Sequence, residues 1–326
     1  MPTAEIKDER RRASEGQPPG GTSLRGDEPP KDSPPGRSRI GSFLGRPMTM
    51  HRGGPVPEAA AETLLDLAEE ALDQGDSQRA LALCAEVLQG IPEHAGALFV
   101  TADAYRELGA VEEAERAYRR VTQAVPEHAP GWSGLAASLF DQLRFEESRI
   151  AALRAIRIDP TNGEAAYVRA LLRERRGDLE GADRDFLRAW RLDPRAWPRP
   201  TPLTDAMIEA VIEEVTRSLH PAIRSYLSQV PFLIEEVPAE EICLQFEPPA
   251  PPSEILGVFT GSTLAERSVE DPWSQLPSTI VLFRRNLQRH AFDRDHLLSE
   301  LRITVFHEVG HFLGLGEADL EARGLG

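Results

Sequence analysis

A proline returns every 34 residues through the middle of this chain, at Pro92, Pro126, Pro160 and Pro194. Three more columns of residues keep the same spacing. Two of them hold small residues and the third holds packing residues of mixed size: Ala68, Ala102, Ala136 and Ala170; Ala80, Ala114, Ser148 and Ala182; and Cys84, Tyr118, Ala152 and Phe186. A fixed period of this length indicates a stack of similar supersecondary units, each burying its apolar face against the next.

Glycine marks the turn inside three of the four units, at Gly75, Gly109 and Gly177, and Leu143 replaces it in the third unit. Together the columns resemble the tetratricopeptide repeat, in which two antiparallel helices cross at small residues and a proline closes each unit. The resemblance covers roughly residues 59–196. It implies an all-α superhelix of four helix-turn-helix repeats, with a protein partner bound in its groove.

A second pattern, HExxHxxGxxE, spans His307 to Glu317. Residues four apart share one face of an α-helix, so His307 and His311 present two imidazoles to one ion. Zinc accepts imidazole nitrogen, and a catalytic zinc site uses three protein ligands plus a water. Glycine at Gly314 ends the helix and turns the chain back, which brings Glu317 round as the third ligand. Glu308, beside the first ligand, is placed to take a proton from that water.

Several choices at this site stay open on the sequence. Asp319 and Glu321 lie close to Glu317 and are alternative third ligands. Two histidines that only pack against their neighbours are the structural alternative to a metal site. Two histidines and one carboxylate also suit non-haem iron. Zinc is favoured over iron because the iron triad normally rests on a barrel and gives Glu308 no role.

The residues around the motif predict a small α+β domain. Trp197–Pro202 holds three prolines, which forbid a continuing helix, and Thr204 or Asp205 then caps an amphipathic helix. Short strands are expected at Phe232–Val237, Ile242–Phe246, Leu256–Gly261 and Thr279–Phe283. Apolar residues at helical spacing put the motif on a buried helix against that sheet: Leu297, Leu301, Val305 and Phe312.

Three stretches of this region, Leu256–Gly261, Ile280–Phe283 and Thr304–Leu315, resemble the zincin-like metallopeptidase family, over roughly residues 205–322. The resemblance implies a minimal zincin fold, in which the helix bearing the HExxH residues packs on a short twisted sheet. It also implies an acidic third metal ligand, which maps onto Glu317.

The bulk composition restricts the partners. A formal net charge of −16 argues against non-specific nucleic-acid binding and against docking on anionic lipid. Two cysteines, Cys84 and Cys243, are too few for a disulfide framework. No run reaches 18 apolar residues, and Met1–Arg12 lacks the apolar core of a signal peptide, which favours a protein of the cytoplasm.

The sequence therefore predicts a multidomain chain with zinc as its cofactor. The expected parts are a disordered tail at residues 1–57, the repeat domain at 58–196, a linker at 197–204 and the zincin-like domain at 205–326. The predicted function is a metallopeptidase that hydrolyses peptide bonds with Glu308 as general base, while the repeats recruit a protein partner or substrate. The alternative is a repeat scaffold whose metal domain is structural or catalytically weak. Arg267, Arg284 and Arg285 are further candidates for substrate contact.

Overall fold

Eight helices in antiparallel pairs make up the first part of the structure, here called the repeat array. The computed structural model describes residues 57–264, 266 and 277–324. The helices of the array are α1 (Glu58–Asp73), α2 (Ser77–Gly90), α3 (Ala95–Glu107), α4 (Val111–Ala124), α5 (Ala129–Asp141), α6 (Phe145–Ile158), α7 (Gly163–Glu174) and α8 (Leu179–Leu192). The predicted disordered tail lies outside the described residues except for Pro57.

The small-residue columns lie where the paired helices cross. All eight members of those two columns are fully buried, and the mixed-size column is buried as well. A small side chain at a crossing lets two helices approach closely, and the larger Tyr118 and Phe186 fill the space between neighbouring pairs. The four repeats predicted from the 34-residue period are confirmed.

The turn inside each repeat requires a left-handed backbone. Gly75, Gly109 and Gly177 have φ between 71° and 75°, and Leu143 adopts the same conformation with φ 62°. Glycine adopts this conformation without steric cost, whereas a leucine does so at a cost of about 1 kcal/mol or more. The third repeat therefore keeps the turn in spite of its leucine.

The second part of the structure, here called the C-terminal domain, combines six helices with a three-stranded sheet in the described residues. Its elements are α9 (Asp205–Ser218), α10 (Pro221–Leu227), β1 (Phe232–Glu235), α11 (Glu240–Cys243), β2 (Gly257–Thr260), β3 (Thr279–Phe283), α12 (Arg284–His290), α13 (Arg294–Phe312) and α14 (Glu317–Glu321). The predicted helix after Thr204 is confirmed, and the Thr204 side chain accepts a hydrogen bond from the Met207 N–H at 3.3 Å.

The sheet has the order β1-β3-β2, with β1 parallel and β2 antiparallel to the central β3. Alternate residues of β3 enter two different cores because successive side chains of a strand point to opposite faces. Ile280 and Leu282 pack with α9 and α13, whereas Val281 and Phe283 pack with Cys243 on the other face. Each face of this small sheet is therefore covered.

The prediction of a strand at Ile242–Phe246 is wrong, because residues Glu240–Cys243 form the short helix α11. Glu240 and Glu241 occupy the first turn of α11, where a carboxylate stabilises a helix N-terminus. Cys243 is fully buried, while Leu244 and Phe246 are left exposed. This segment lies outside the sheet and beside the site described below.

The linker between the two parts is packed rather than loose. The Trp197 ring lies against Tyr167 of α7 with ring centroids 4.8 Å apart. The Thr201 N–H donates to the Gln288 carbonyl at 2.8 Å, and its hydroxyl donates to the Ala291 carbonyl at 2.9 Å. The array and the C-terminal domain belong to one compact unit. Among the helices that the structure describes, none has both the length and the apolarity that crossing a bilayer requires.

Candidate metal centre

Helix α13 presents His307 and His311 on one face. The helix is capped by Asp293, whose side chain accepts a hydrogen bond from the His296 N–H at 2.8 Å. Fully buried leucine and valine side chains anchor α13 in the core of the C-terminal domain: Leu297, Leu301 and Val305. The two Nε2 atoms of His307 and His311 lie 2.9 Å apart. The helical spacing of four residues thus brings the two imidazoles together, as the sequence predicted.

A tight turn after α13 brings Glu317 to the same point. Gly314 has φ 89°, its N–H donates to the His311 carbonyl at 2.9 Å, and the Leu315 N–H donates to the Gly310 carbonyl at 3.0 Å. The fully buried Leu320 of α14 then packs against Gly310, where an added Cβ would come within 2.4 Å of the Leu320 side chain. Glu317 is the first residue of α14, so this packing fixes its position.

The three side chains offer a set of donors that suits zinc. The Glu317 carboxylate oxygens lie 3.2 Å from His311 Nε2 and 3.6 Å from His307 Nε2. Ligand atoms about 2.0–2.2 Å from a tetrahedral zinc are themselves about 3.3 Å apart. The separations of 2.9 to 3.6 Å seen here are close to that value. Two imidazoles and one carboxylate also leave a fourth position open for water or substrate.

The backbone fixes the orientation of one of the two imidazoles. Nδ1 of His311 lies 3.2 Å from the Leu315 carbonyl oxygen, which can only accept a hydrogen bond. Placing the proton on Nδ1 leaves Nε2 as the atom with a free lone pair, facing the Glu317 carboxylate. The turn at Gly314 therefore both brings Glu317 to the two imidazoles and orients His311.

Glu308 lies beside this cluster and lines the same cleft, with its carboxylate against β2. It is only 5% exposed, and its carboxylate accepts a hydrogen bond from the Phe259 backbone N–H of β2. Burial raises the pKa of Glu308 to about 8, against the lowering effect of that hydrogen bond. An added Cβ on Gly257 would lie 3.2 Å from the Glu308 side chain, so β2 passes very close to it.

The alternative third ligands do not join the cluster. Within the described residues, the group of donors lying within 4.8 Å of one another contains Glu317 but neither Asp319 nor Glu321. Two of the three arginines considered for substrate contact are engaged elsewhere: Arg284 pairs with Asp205 and Arg285 pairs with Glu174. Arg267 lies outside the described residues.

Comparison with known families identifies the two parts of the fold. Residues 227–325 match the family model described as zincin-like metallopeptidase, and residues 71–139 match a model described as tetratricopeptide repeat. The chain carries a zincin-like metallopeptidase domain C-terminal to tetratricopeptide repeats. Both resemblances stated from the sequence are thereby confirmed.

Several solved structures share a limited similarity with this chain. A MamA RS-1 double mutant is 20% identical, with TM-score 0.37 over 43% of this chain and 79% of its own. MamA from Desulfovibrio magneticus RS-1 is 19% identical, with TM-score 0.37 over 43% and 78%. The first repeat domain of Spaghetti, bound to an HSP90 peptide, is 18% identical, with TM-score 0.34 over 41% and 99%. No curated protein matches the chain.

A cleft of about 490 Å³ opens in the zincin-like domain beside the cluster. Its floor and walls come from α13, the turn at Gly314, β2 and the segment after α11, which contributes Gln245 and Phe246. Neither Lys nor Arg lines the cleft among the described residues.

The sequence analysis did not single out two residues that line the cleft, Gly257 and Phe246. A glycine inside a strand can mark a place where the backbone comes close to another group, and this is the one sequence signal that could have singled out Gly257.

Proposed function

We propose that the chain is a zinc-dependent metallopeptidase that hydrolyses peptide bonds, with His307, His311 and Glu317 as metal ligands and Glu308 as general base. The observation that supports this most strongly is the buried Glu308 carboxylate beside three converging donors. A purely structural zinc site has no use for a buried carboxylate that is not a ligand, whereas a hydrolase needs such a group to move a proton.

Each residue has a defined task in the proposed reaction. When bound, zinc would supply Lewis-acid chemistry, which lowers the pKa of water and polarises the scissile carbonyl. The Glu308 carboxylate accepts the proton of the attacking water and passes it to the nitrogen of the leaving amine. The Phe259 N–H orients that carboxylate. His311 is oriented by the Leu315 carbonyl.

The substrate backbone would bind along the free edge of β2. Directly before β2, the Leu256 carbonyl accepts a hydrogen bond from the Phe283 N–H at 2.9 Å. In an antiparallel pair every second residue bonds to the neighbouring strand, so Val258 and Thr260 bond to β3. Gly257 lies between those positions and turns its backbone groups away from β3, towards the cleft. An extended peptide adding to this edge as a further strand comes next to Glu308. The proposed substrate is therefore an unfolded or flexible protein segment.

The repeats are proposed to recruit a protein partner or the substrate itself. We assign residues 58–196 to this role, residues 197–204 to the linker and residues 205–326 to catalysis. Repeats of this kind expose a continuous surface on which an extended or helical peptide packs. Recruitment by the array would raise the local concentration of a segment near the cleft.

The proposed function is tested by incubating the zinc-loaded full chain with a library of unstructured peptides and reading the products by mass spectrometry. Cleavage that stops on chelation and returns with added zinc is the expected result. Zinc binding without cleavage of any peptide, or of any unfolded protein, would favour the alternative of an interaction scaffold with a structural metal.

We expect Phe246→Ala to lower kcat/KM by about tenfold for peptides with a large apolar residue beside the scissile bond. The reason is that Phe246 is an exposed aromatic side chain lining the cleft. Leu244→Ala is the matched control, since Leu244 is also exposed but does not line the cleft. Equal effects of the two changes on cleavage would contradict a substrate contact at Phe246.

A further inference from the structure

A buried ion cluster joins the repeat array to helix α12. Glu174, at the end of α7, has a side chain only 1% exposed and pairs with both Arg285 and Arg289 of α12. Arg285 also pairs with Asp183 of α8, whose side chain is 60% exposed. A carboxylate buried to this degree is stable only while its cations hold it. The cluster therefore fixes α12 against the fourth repeat.

Helix α12 in turn holds the chain segment that leads into β2. Asn286 is 1% exposed, and its amide donates to the carbonyls of Pro252 at 2.7 Å and Ile255 at 2.6 Å. Its Oδ1 accepts from Arg289. The same guanidinium thus binds the repeat-array carboxylate and the amide that fixes the segment. We call residues 236–256, which connect β1 to β2, the wall segment.

The third repeat touches the wall segment independently. The Leu143 side chain packs against the buried cluster that includes Cys243 and Ile255 of the wall segment, as Ile242 and Ala250 also do. This contact gives a physical reason for a leucine in a left-handed turn where three other repeats have glycine, because burial offsets the backbone cost. In the fourth repeat, the Arg175 side chain at the end of α7 adds a hydrogen bond to the Pro238 carbonyl of the wall segment at 3.0 Å.

The wall segment reaches the active site at two places. It carries Gln245 and Phe246, which line the cleft. It also leads directly into β2. In β2 the Gly257 backbone lies against Glu308, and the Phe259 N–H donates to the Glu308 carboxylate. A shift of the wall segment would therefore move both the cleft wall and the donor that orients Glu308.

We propose that the repeat array positions the active site of its own chain, with Leu143 and Glu174 as positioning residues that hold the wall segment and β2 against Glu308. The inference rests on the proposed peptidase function but names residues far from the metal ligands. It assigns the array a second task besides recruitment, because the catalytic domain depends on the third and fourth repeats for one side of its cleft.

Hydrogen exchange of the full chain tests this directly, with and without zinc, in wild type, Leu143→Gly, Glu174→Gln and Asp183→Asn. Leu143→Gly restores the residue that the other three repeats use, so the array itself should stay folded. We expect amides 257–260 to exchange about tenfold faster in Leu143→Gly and Glu174→Gln, with helices α3–α5 unchanged. Asp183 contacts the Arg285 guanidinium from the solvent side. The Asp183→Asn variant should therefore leave the exchange of amides 257–260 as in wild type.

The kinetic constants kcat and KM distinguish a positioning role from a merely structural one. In both positioning variants kcat should fall by about tenfold while KM changes less than about twofold and bound zinc stays constant, and Glu174→Asp should restore part of kcat. Unchanged exchange at 257–260 together with unchanged kcat would overturn the inference. No turnover in wild type would instead overturn the peptidase, and the exchange result would still decide whether the array positions β2.

Discussion

Glu308→Gln should lower kcat by about 10²-fold to 10⁴-fold and leave zinc binding intact, which is the largest effect we expect on activity. The amide of glutamine keeps the size of the side chain and an oxygen that accepts the Phe259 N–H. It cannot take up a proton from water. Single-turnover assays on a cleaved peptide, with bound zinc measured on the same samples, check this expectation.

The control for this experiment is Glu321→Gln, which neutralises an exposed acid close to the site that does not belong to the donor cluster. Its kcat should stay within about twofold of wild type. A Glu308→Gln variant that keeps wild-type kcat with zinc bound would show that another group moves the proton, and the proposed mechanism would be wrong.

Glu174→Ala should give the largest loss of stability, about 3–5 kcal/mol of unfolding free energy. The change leaves Arg285 and Arg289 without their shared carboxylate although their side chains are only 10% and 7% exposed. Among the described residues Arg289 then has no ionic partner and Arg285 keeps only Asp183. A buried charge without its partner is strongly unfavourable because little water reaches it. Guanidinium unfolding followed by tryptophan fluorescence measures the loss.

Glu180→Ala is the matched control on the neighbouring helix α8, since its side chain is 94% exposed and its only ion pair among the described residues is a long one to Arg184. Surface pairs of this kind contribute little, so the change should cost less than about 1 kcal/mol. Equal losses for the two variants would mean that the Glu174 cluster does not hold the array to the C-terminal domain.

The sequence predicted the periodic parts of the fold well because a period records packing. The proline and small-residue columns recur at the crossings of paired helices, and the apolar spacing around His307 follows the buried face of α13. The convergence of His307, His311 and Glu317 was likewise accessible, since helix geometry and a glycine turn decide it locally.

The parts that the sequence did not predict depend on contacts between distant residues. The segment around Ile242 reads as a strand by its apolar residues, yet it forms a helix whose Cys243 enters a core shared with β3. Nothing near Arg285 or Arg289 marks Glu174, more than a hundred residues earlier, as their partner. The leucine at position 143 was visible as an exception in its column, and only the packed structure supplies its reason.

Bound metal measured by elemental analysis of purified full-length chain tests the metal centre most directly. We predict about one zinc per chain in wild type, less than about a tenth of that in His307→Ala, and clearly weakened binding in Glu317→Ala. Asp319→Ala should bind zinc like wild type, because Asp319 lies outside the donor cluster. No zinc in wild type, or equal zinc in wild type and His307→Ala, would contradict the metal centre and with it the proposed peptidase.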